Sequence, residues 1–388
     1  MGSILKTLLT AFDIFPSAKG ASAHIAQNLK AIRGFKETAA LACLGTIDDP
    51  KAQMEDGLTI LRCRMMHPNF LKRAEIFGDF VWSLLNRANG GLTSVHFRDI
   101  WGGIPILKHY SSKRALKIFE VNGFPSIELP CRYPALERNN ALLNRIRGME
   151  DLCLSKADRI ITVSDVNADY IVSRGVAREK ITVIPNTTDI DEAAPSQKPI
   201  ANGKKRILYS GCLAPWQGVE TLLRAYALIA HRDDVKLTMA VSNRKYLKPY
   251  LKLVHKLGME ENVEIKTALP KEELAALYAS SAFSVAPLAR CERNETQGAC
   301  PIKIIDSMAM GVPVIASDLA IARELVENGV DGLLVTPDSP RALAVGMTAL
   351  LDDPAKAETI GRNARKSFED KFSRSSFMEK LRKVYTEN

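Results

Sequence analysis

One segment of the sequence combines a polar loop, a helix start and charged side chains. Residues 290–297 form the loop, which leads through Gly298 into a predicted helix with Pro301 at its start. A proline there suits the first helical position, and the unbonded N–H groups of that helix end can face an anion. Lys303 falls in the first turn, where a positive charge opposes the helix dipole unless it faces an anion. The segment therefore predicts an anion site.

Asp306 follows Lys303 by three residues and so lies on the same predicted helical face. A carboxylate in this position can accept hydrogen bonds from both hydroxyls of a ribose. The two side chains together suit a phosphate and the sugar of a nucleotide. The alternative interpretation is a surface helix whose Lys and Asp are simply solvated.

Two further loops join a predicted strand to a predicted helix, the place where parallel sheets bind anions. In the first, Gly211 and Gly218 bracket a loop that contains Trp216, which either stacks on a ligand or packs within the protein. In the second, Gly20 precedes a helix predicted at residues 24–32. Glycine would let a phosphate or sugar approach the backbone at that point, although a plain tight turn fits as well.

Short β-branched runs alternate with amphipathic helical stretches along the whole chain, which predicts an α/β fold with parallel sheets wrapped by helices. The predicted strands of the first half are residues 5–11, 38–44, 58–63, 94–98, 116–121, 159–163 and 181–184. Those of the second half are residues 207–210, 235–241, 263–266, 283–286, 312–316 and 332–335. Helical patterns at 342–351, 355–372 and 377–385 end the chain.

The length of 388 residues suits two domains of roughly 180 residues each. A polar, proline-containing and aperiodic stretch in the middle marks the boundary. We predict a first domain at residues 1–190, a linker at 191–206 and a second domain at 207–370. A C-terminal helix at 371–388 is expected to cross back onto the first domain.

The formal charge of +9 favours acidic partners, which include nucleotides, nucleic acid and anionic lipid. Seven scattered Cys show neither a C-x-x-C pair nor zinc spacing, so buried thiols are expected. No run is long and apolar enough for a membrane span, and the first ten residues lack a signal-peptide pattern. These features predict a cytoplasmic protein.

The stretch at residues 70–85 has two interpretations that concern the membrane. Apolar side chains recur in it at helical spacing, with Lys72 and Arg73 beside them. An ordinary core helix fits this pattern best. The alternative is a helix that docks on anionic lipid near a lipid-linked acceptor, which would make the protein peripheral on the inner face of the membrane.

Together these motifs form a family pattern. They are Gly20, His96, Pro185 with Asn186, the 211–218 loop, Asp306, and Met308 to Asp318. At these residues the sequence resembles the retaining glycosyltransferases of family 4. The resemblance implies the GT-B fold, in which two Rossmann-like doubly wound parallel-sheet domains face a cleft. The segment from Gln297 to Lys303 is similar to the Q-G-x-x-P-x-K variant of a bacterial subgroup.

The resemblance also implies roles for individual residues. The nucleotide diphosphate would lie between the 211–218 loop and the helix that starts at Pro301. Residues expected to contact the donor are Gly20, Gly211, Gln217, Gly218, Gln297, Gly298 and Asp306. The expected catalytic residues are His96, which would face the sugar, and Lys303, which would stabilise the leaving diphosphate.

Four positions depart from the common family pattern, and at one of them Asp306 replaces the second Glu with a shorter acid. Cys212 and Gln217 stand in the phosphate loop where many members carry Arg and Lys. Gly298 occupies the position of a sugar-contacting Glu in members with an E-x7-E pattern. The phosphate loop therefore lacks two expected positive charges, and Lys303 becomes the best-placed cation of the matched motifs.

The predicted reaction moves a sugar from a nucleotide diphosphate sugar, UDP-linked rather than GDP-linked, to an acceptor hydroxyl with retention. Saccharide or lipid-linked acceptors of polysaccharide or glycolipid synthesis are expected, and nucleic acid is not. No metal or other cofactor is expected, because the single D-x-D, Asp189 to Asp191, lies at the linker. Two alternatives remain: a nucleotide-sugar 2-epimerase of similar fold, and a catalytically silent sugar-nucleotide-binding subunit. A dehydrogenase is disfavoured, since G-x-G-x-x-G follows neither opening strand.

Overall fold

The computed structural model describes residues 5–17, 19–36, 38–55, 57–64, 67–88, 91–193 and 203–387. The chain divides into two compact units. The first comprises Met1–Ser17, Ala21–Pro185 and Phe377–Asn388, and the second comprises Ala18–Gly20 and Asn186–Ser376. The predicted linker at 191–206 includes residues 194–202, which lie outside the described residues.

The described residues form fourteen strands and fourteen α-helices. The strands are β1 Thr7–Ile14, β2 Ala39–Leu44, β3 Ala52–Glu55, β4 Leu58–Cys63, β5 Ser94–Phe97, β6 Leu116–Val121, β7 Arg159–Thr162, β8 Ile181–Val183, β9 Lys205–Gly211, β10 Val235–Val241, β11 Val263–Thr267, β12 Ser281–Ala286, β13 Val314–Ser317 and β14 Leu333–Val335. The helices are α1 Gly20–Arg33, α2 Phe70–Ala88, α3 Ile100–Lys108, α4 Pro125–Arg132, α5 Asn140–Lys156, α6 Asp165–Ser173, α7 Val219–Ala227, α8 Lys248–Lys256, α9 Lys271–Ala279, α10 Ile302–Ala309, α11 Ala320–Arg323, α12 Pro340–Asp352, α13 Pro354–Ser367 and α14 Arg374–Thr386.

The first unit contains an eight-stranded sheet in the order β3-β4-β2-β1-β5-β6-β7-β8. All neighbouring strands are parallel except β3 and β4, which are antiparallel. Every residue of β2 is buried, as expected for a parallel strand covered on both faces. The strand order reverses between β1 and β5, so the loops after these two strands meet at the edge where such sheets bind ligands.

The second unit contains a six-stranded, fully parallel sheet in the order β11-β10-β9-β12-β13-β14. Counted from β9, this is the doubly wound order 3-2-1-4-5-6, and the predicted Rossmann-like domain is confirmed. Its order reverses between β9 and β12. The loops that follow these strands are the 211–218 loop and residues 287–301, which carry two of the three predicted ligand motifs.

Helix α14 is part of the core of the first unit. Its side chains Phe377, Leu381 and Val384 are buried in the same apolar cluster as Leu9 and Ile25. The last stretch of the described chain therefore belongs to the first unit, although it follows the second unit in the sequence. Residues 374–376, the first turn of α14, belong to the second unit.

Helix α2 buries the apolar face that the sequence left open to two interpretations. Ala74, Phe77, Val81 and Leu84 all lie in the core of the first unit. The burial of these four side chains favours the core-helix interpretation, and docking on lipid stays a prediction without support from the structure. No described helix combines the length and the apolar content that crossing a bilayer would need.

Candidate functional site

The 211–218 loop needs glycine at both ends. Gly211 ends β9 with φ +140°, and a Cβ atom there would lie 3.0 Å from the Nζ atom of Lys303. Gly218 has φ +63°, and a Cβ atom there would lie 1.8 Å from the carbonyl oxygen of Pro287. The left-handed backbone and the close approach each favour glycine. The loop after β9 thus lies directly against both Lys303 and the segment after β12.

Lys303 lies in the first turn of α10, as predicted, and it is buried. Its Nζ atom donates to Oε1 of Gln217 at 2.5 Å and lies 4.2 Å from the ring centroid of Tyr209. The pKa of this amine is lowered to about 7, chiefly by burial; Cys212 opposes the shift and the positive charge of Arg293 contributes to it. An anion beside Lys303 would favour its charged form. The predicted phosphate contact of Lys303 and Gln217 stays a prediction, but the two residues are adjacent.

The N-terminus of α10 adds backbone donors to this region. Pro301 is its N-cap residue, and no side chain caps the first turn. Asn186 fixes the preceding backbone, since its amide Nδ2 donates to the carbonyl oxygen of Cys300 at 2.7 Å. The Pro-Asn turn of the sequence pattern therefore holds the start of α10 in place.

Asp306 lies one turn further along α10 and is 8% exposed. Burial raises the pKa of its carboxyl to about 7. The hydroxyl of Thr188 donates a hydrogen bond that opposes the shift, and the negative charges of Asp189 and Asp191 add to it. A ribose would supply two more donors to the ionised carboxylate, which is the role predicted for this residue. Thr188 was missed because nothing in its sequence context marks it.

Gln297 and Gly298 end a π-helix that begins at Arg293. Gln297 is fully buried, and Gly298 has φ +82°, a backbone conformation that favours glycine. The N–H of Gly298 donates to the carbonyl oxygen of Arg293 at 3.1 Å. Short π-helical turns are frequent at functional sites. The Gly at the position of the family's Glu is thus required by the backbone here.

The two remaining predicted site residues, Gly20 and His96, have different surroundings, and only His96 belongs to the first unit. Gly20 is exposed and is the first residue of α1, which begins four residues before the predicted start at residue 24. His96 is fully buried within β5. Its Nε2 atom lies 3.0 Å from Oε2 of Glu120, and its Nδ1 atom lies 2.7 Å from the hydroxyl of Tyr385. A direct contact of His96 with the sugar stays a prediction, and this geometry favours a positioning role instead.

Glu120 is the centre of a buried polar cluster at the end of β6. Its two oxygens contact side chains from α1, β5 and the segments after β5 and β6. The partners are His24 Nε2 at 2.7 Å, Asn28 Nδ2 at 2.7 Å, His96 Nε2 at 3.0 Å, Arg98 Nε at 2.8 Å and Asn122 Nδ2 at 2.5 Å. We call these six residues the Glu120 cluster. Of these six residues only His96 is predicted from the sequence, because the members lie far apart in the chain and form no motif.

The charge of Glu120 determines the direction of the hydrogen bonds around it. Burial alone would raise its pKa, but Arg98 and then His24 and His96 hold it well below its usual range. An ionised carboxylate only accepts, so both histidines donate from Nε2. The other ring nitrogen of His96, Nδ1, bonds with the hydroxyl of Tyr385, which can donate or accept. Nδ1 of His24 has no hydrogen-bond partner among the described residues.

Comparison with known proteins gives the class of the chain. Residues 191–367 match the model of "Glycosyl transferases group 1", and residues 48–192 match that of "Glycosyltransferase Family 4". With its two parallel-sheet units, the chain therefore has the fold of the GT-B glycosyltransferases. The two matches together cover most of the chain, and it belongs to glycosyltransferase family 4.

Individual relatives support the same class. D-inositol 3-phosphate glycosyltransferase of Thermobispora bispora is 27% identical over 63% of this chain, but the match spans only 59% of that relative. Sucrose-phosphate synthase of Thermosynechococcus elongatus superposes with a TM-score of 0.82 at 19% identity, over 98% of both chains. Anabaena HepE, solved in complex with UDP-glucose, superposes with a TM-score of 0.76 at 18% identity, over 99% of this chain and 100% of that chain. At these identities the structures show the fold alone.

Proposed function

We propose that the protein transfers a sugar from a nucleotide diphosphate sugar to an acceptor hydroxyl, and that UDP carries the donor sugar. The observation that carries this proposal is the position of Lys303 and Asp306 on successive turns of α10, beside the 211–218 loop. A buried amine for the phosphates, a buried carboxylate for the ribose and an uncapped helix start suit a nucleotide diphosphate. The complex of Anabaena HepE with UDP-glucose supports UDP as the nucleotide.

In the proposed reaction, the bond between the anomeric carbon and the diphosphate breaks, and the acceptor oxygen bonds to the same face of the sugar. The acceptor proton leaves with the diphosphate or with solvent. Negative charge grows on the diphosphate, where the loop amides, the start of α10 and Lys303 stabilise it. The described residues offer no side chain that we assign as a covalent nucleophile.

The diphosphate needs no metal in this proposal. The D-x-D carboxylates already pair with cationic side chains of the second unit: Asp189 lies 3.3 Å from Lys271, and Asp191 lies 3.0 Å from Arg365. Lys303 and the helix start take the place of a bridging cation. We expect protein treated with EDTA to keep its full transfer rate, and loss of activity that Mg²⁺ restores would contradict this part.

The acceptor in this proposal is a saccharide or a lipid-linked sugar of polysaccharide or glycolipid synthesis. A thermal-shift screen of UDP and GDP sugars identifies the donor, because a ligand at 100 times its dissociation constant stabilises by about 2.7 kcal/mol. Transfer to mixed saccharide acceptors is then followed by NMR of the anomeric proton, which reports retention or inversion. Binding of UDP sugars without any transfer or hydrolysis would instead indicate a silent sugar-nucleotide-binding subunit.

A further inference from the structure

We infer that Arg293 binds the diphosphate of the donor and supplies the permanent positive charge of this site. The inference rests on the proposed function, because it needs a nucleotide diphosphate beside Lys303. A diphosphate leaving group carries more than one negative charge, and the matched sequence motifs provide only one cation to meet it. Arg293 lies outside those motifs, at the start of the π-helix that leads to Gly298.

The position of Arg293 is fixed against the 211–218 loop. Its guanidinium lies over the ring of Trp216, with 4.9 Å between its Cζ atom and the ring centroid. Trp216 is buried and directly precedes Gln217, the residue that accepts from Lys303. A guanidinium that stacks on an aromatic ring directs its N–H groups outward in its own plane. Arg293 and Lys303 thus reach the same short segment of the loop.

The backbone around Arg293 is anchored to the same loop. The Nδ2 atom of Asn294 donates to the carbonyl oxygens of Trp216 at 2.9 Å and of Ala289 at 2.8 Å. Asn294 is fully buried. The Nη1 atom of Arg293 donates to the Oδ1 atom of Asn294 at 3.0 Å. This bonding orders the guanidinium before any ligand binds, so little further ordering is needed on binding.

Electrostatics link Arg293 to Lys303. Burial is the main cause of the lowered pKa of the Lys303 amine, and the charge of Arg293 adds to it, so the two side chains interact in the absence of a ligand. Two positive charges held close together repel each other, and a bound anion between them reduces this repulsion. A guanidinium stays charged at every physiological pH, whereas Lys303 with a pKa of about 7 does not. Arg293 therefore adds a guanidinium to the site of the Lys303 amine.

Arg290 provides a matched control from the same loop. Its Nη1 atom lies 2.9 Å from Oε1 of Glu295, and its side chain is 57% exposed. In the described part of the chain its side chain pairs with Glu295 and not with the 211–218 loop, and removing its charge changes the net charge of the segment after β12 by the same amount. A general electrostatic effect would therefore appear equally in variants of Arg290 and Arg293.

The test measures binding of UDP and of uridine to the full chain by calorimetry at pH 8. Arg293→Met removes the charge but keeps an unbranched side chain over Trp216, and Arg293→Lys keeps the charge. We expect Arg293→Met to weaken UDP binding about ten- to hundredfold, the usual contribution of a bond between charged groups. The affinity for uridine should be unchanged. Arg293→Lys should retain part of the affinity, and Arg290→Met should leave UDP binding unaltered.

Two results would overturn the inference alone. One is unchanged UDP affinity in Arg293→Met, and the other is an equal loss for UDP and uridine, which would mean that the residue only supports the loop. If the wild-type chain binds neither UDP nor GDP, the proposed function fails, and this inference fails with it. Wild-type binding of UDP separates the two cases.

Discussion

The Nδ1 atom of His96 lies 2.7 Å from the hydroxyl of Tyr385, which joins a strand in the middle of the first sheet to the last helix of the described chain. Through His96 this hydrogen bond reaches Glu120 and the rest of the Glu120 cluster. Tyr385 is buried, and its ring also packs at 5.2 Å from that of Phe35. The cluster therefore depends on a residue that lies 265 positions away from its central carboxylate in the sequence.

Replacing Tyr385 by Phe should destabilise the protein while leaving the ring in place. The substitution removes the hydroxyl that bonds with Nδ1 of His96 and leaves a buried polar atom without a partner, which costs about 1–3 kcal/mol. Urea denaturation followed by circular dichroism measures the loss. Tyr110→Phe is the control, because Tyr110 is 59% exposed. Equal midpoints for the two variants would show that this hydrogen bond adds nothing.

Replacing Gly218 by Ala should disrupt the site far more than the same change at Gly258. Both glycines have nearly the same left-handed φ, +63° and +64°, so both variants pay a backbone cost of roughly 1–2 kcal/mol. Only at Gly218 would the new Cβ atom also collide with the backbone, 1.8 Å from the oxygen of Pro287. At Gly258 nothing lies within 4 Å. UDP binding by calorimetry should be lost only in Gly218→Ala; retained affinity would contradict the assigned loop contact.

Replacing Lys303 by Ala should lower turnover by about 10²–10³, the usual cost of removing a preorganised group that stabilises developing charge. Lys303→Arg should recover part of the rate, because a planar fork replaces a compact charge. The second variant is Gln217→Lys in the Lys303→Ala background. Gln217 contacts the Lys303 amine at 2.5 Å in the wild type. The Gln217→Lys substitution therefore returns a positive charge to nearly the same place, and it should restore activity. Initial rates with the identified donor measure these effects. A wild-type rate in Lys303→Ala would mean that the phosphates bind elsewhere.

Replacing Asp306 by Asn should weaken UDP binding by about 1.5–3 kcal/mol, since the ribose loses hydrogen bonds to a charged acceptor. The side chain keeps its size, so the fold should survive. Asp352→Asn serves as the control, because that exposed carboxylate pairs with Arg232 at 2.6 Å. Calorimetric affinities that are equal in Asp306→Asn and the wild type would remove Asp306 from the ribose site.

Binding of UDP should release protons in mildly acidic solution and take them up in mildly alkaline solution. The pKa values of Asp306 and Lys303 both lie at about 7 in the unliganded protein, where burial disfavours either charge. At a pH of about 6, Asp306 is mostly protonated and must lose its proton to accept from the ribose. At a pH of about 8, Lys303 is mostly neutral and gains a proton beside the diphosphate.

Calorimetry in buffers of different ionisation enthalpy counts these protons. Uptake at alkaline pH should vanish in Lys303→Met, and release at acidic pH should vanish in Asp306→Asn. The two pKa shifts also change how the stability of the unliganded protein depends on pH, and they do so in opposite directions. The raised pKa of Asp306 stabilises the folded state at acidic pH and loses that effect as the pH rises to about 7. The lowered pKa of Lys303 destabilises it near neutrality and less so at higher pH. Proton numbers that do not change sign would contradict the pairing of these two residues in one site.

The strands could be predicted from the sequence because each one is a short run of β-branched and other apolar residues. Strand β10, for example, has the predicted bounds of residues 235–241. Strand β3 was missed, since its four residues are mostly exposed and mixed in polarity. The helix predicted at 355–372 is α13 followed by a π-helix at Phe368–Phe372, a distinction that residue periodicity does not resolve.

The second unit's site was predictable in part, because its residues are close in sequence to glycines and a proline with fixed backbone roles. Lys303 and Gln217 were each found in this way, but their mutual hydrogen bond was not. Thr188 and Arg293 escaped notice because a hydroxyl in a turn and a loop arginine are common on any surface. The Glu120 cluster depends on strand order, which brings together residues that no local pattern relates.

The return of the chain to the first unit has a practical meaning for hybrid enzymes. Exchanging the second unit between relatives, in order to change the donor, requires two junctions, one near Pro185 and one near Phe377. A fragment that stops at the first junction would lack Tyr385 and would expose the apolar side chains that α14 covers. A circularly permuted gene that starts at Asn186 and links α14 to β1 would place each unit in one stretch of sequence, apart from Ala18–Gly20, and the exchange would then need a single cut.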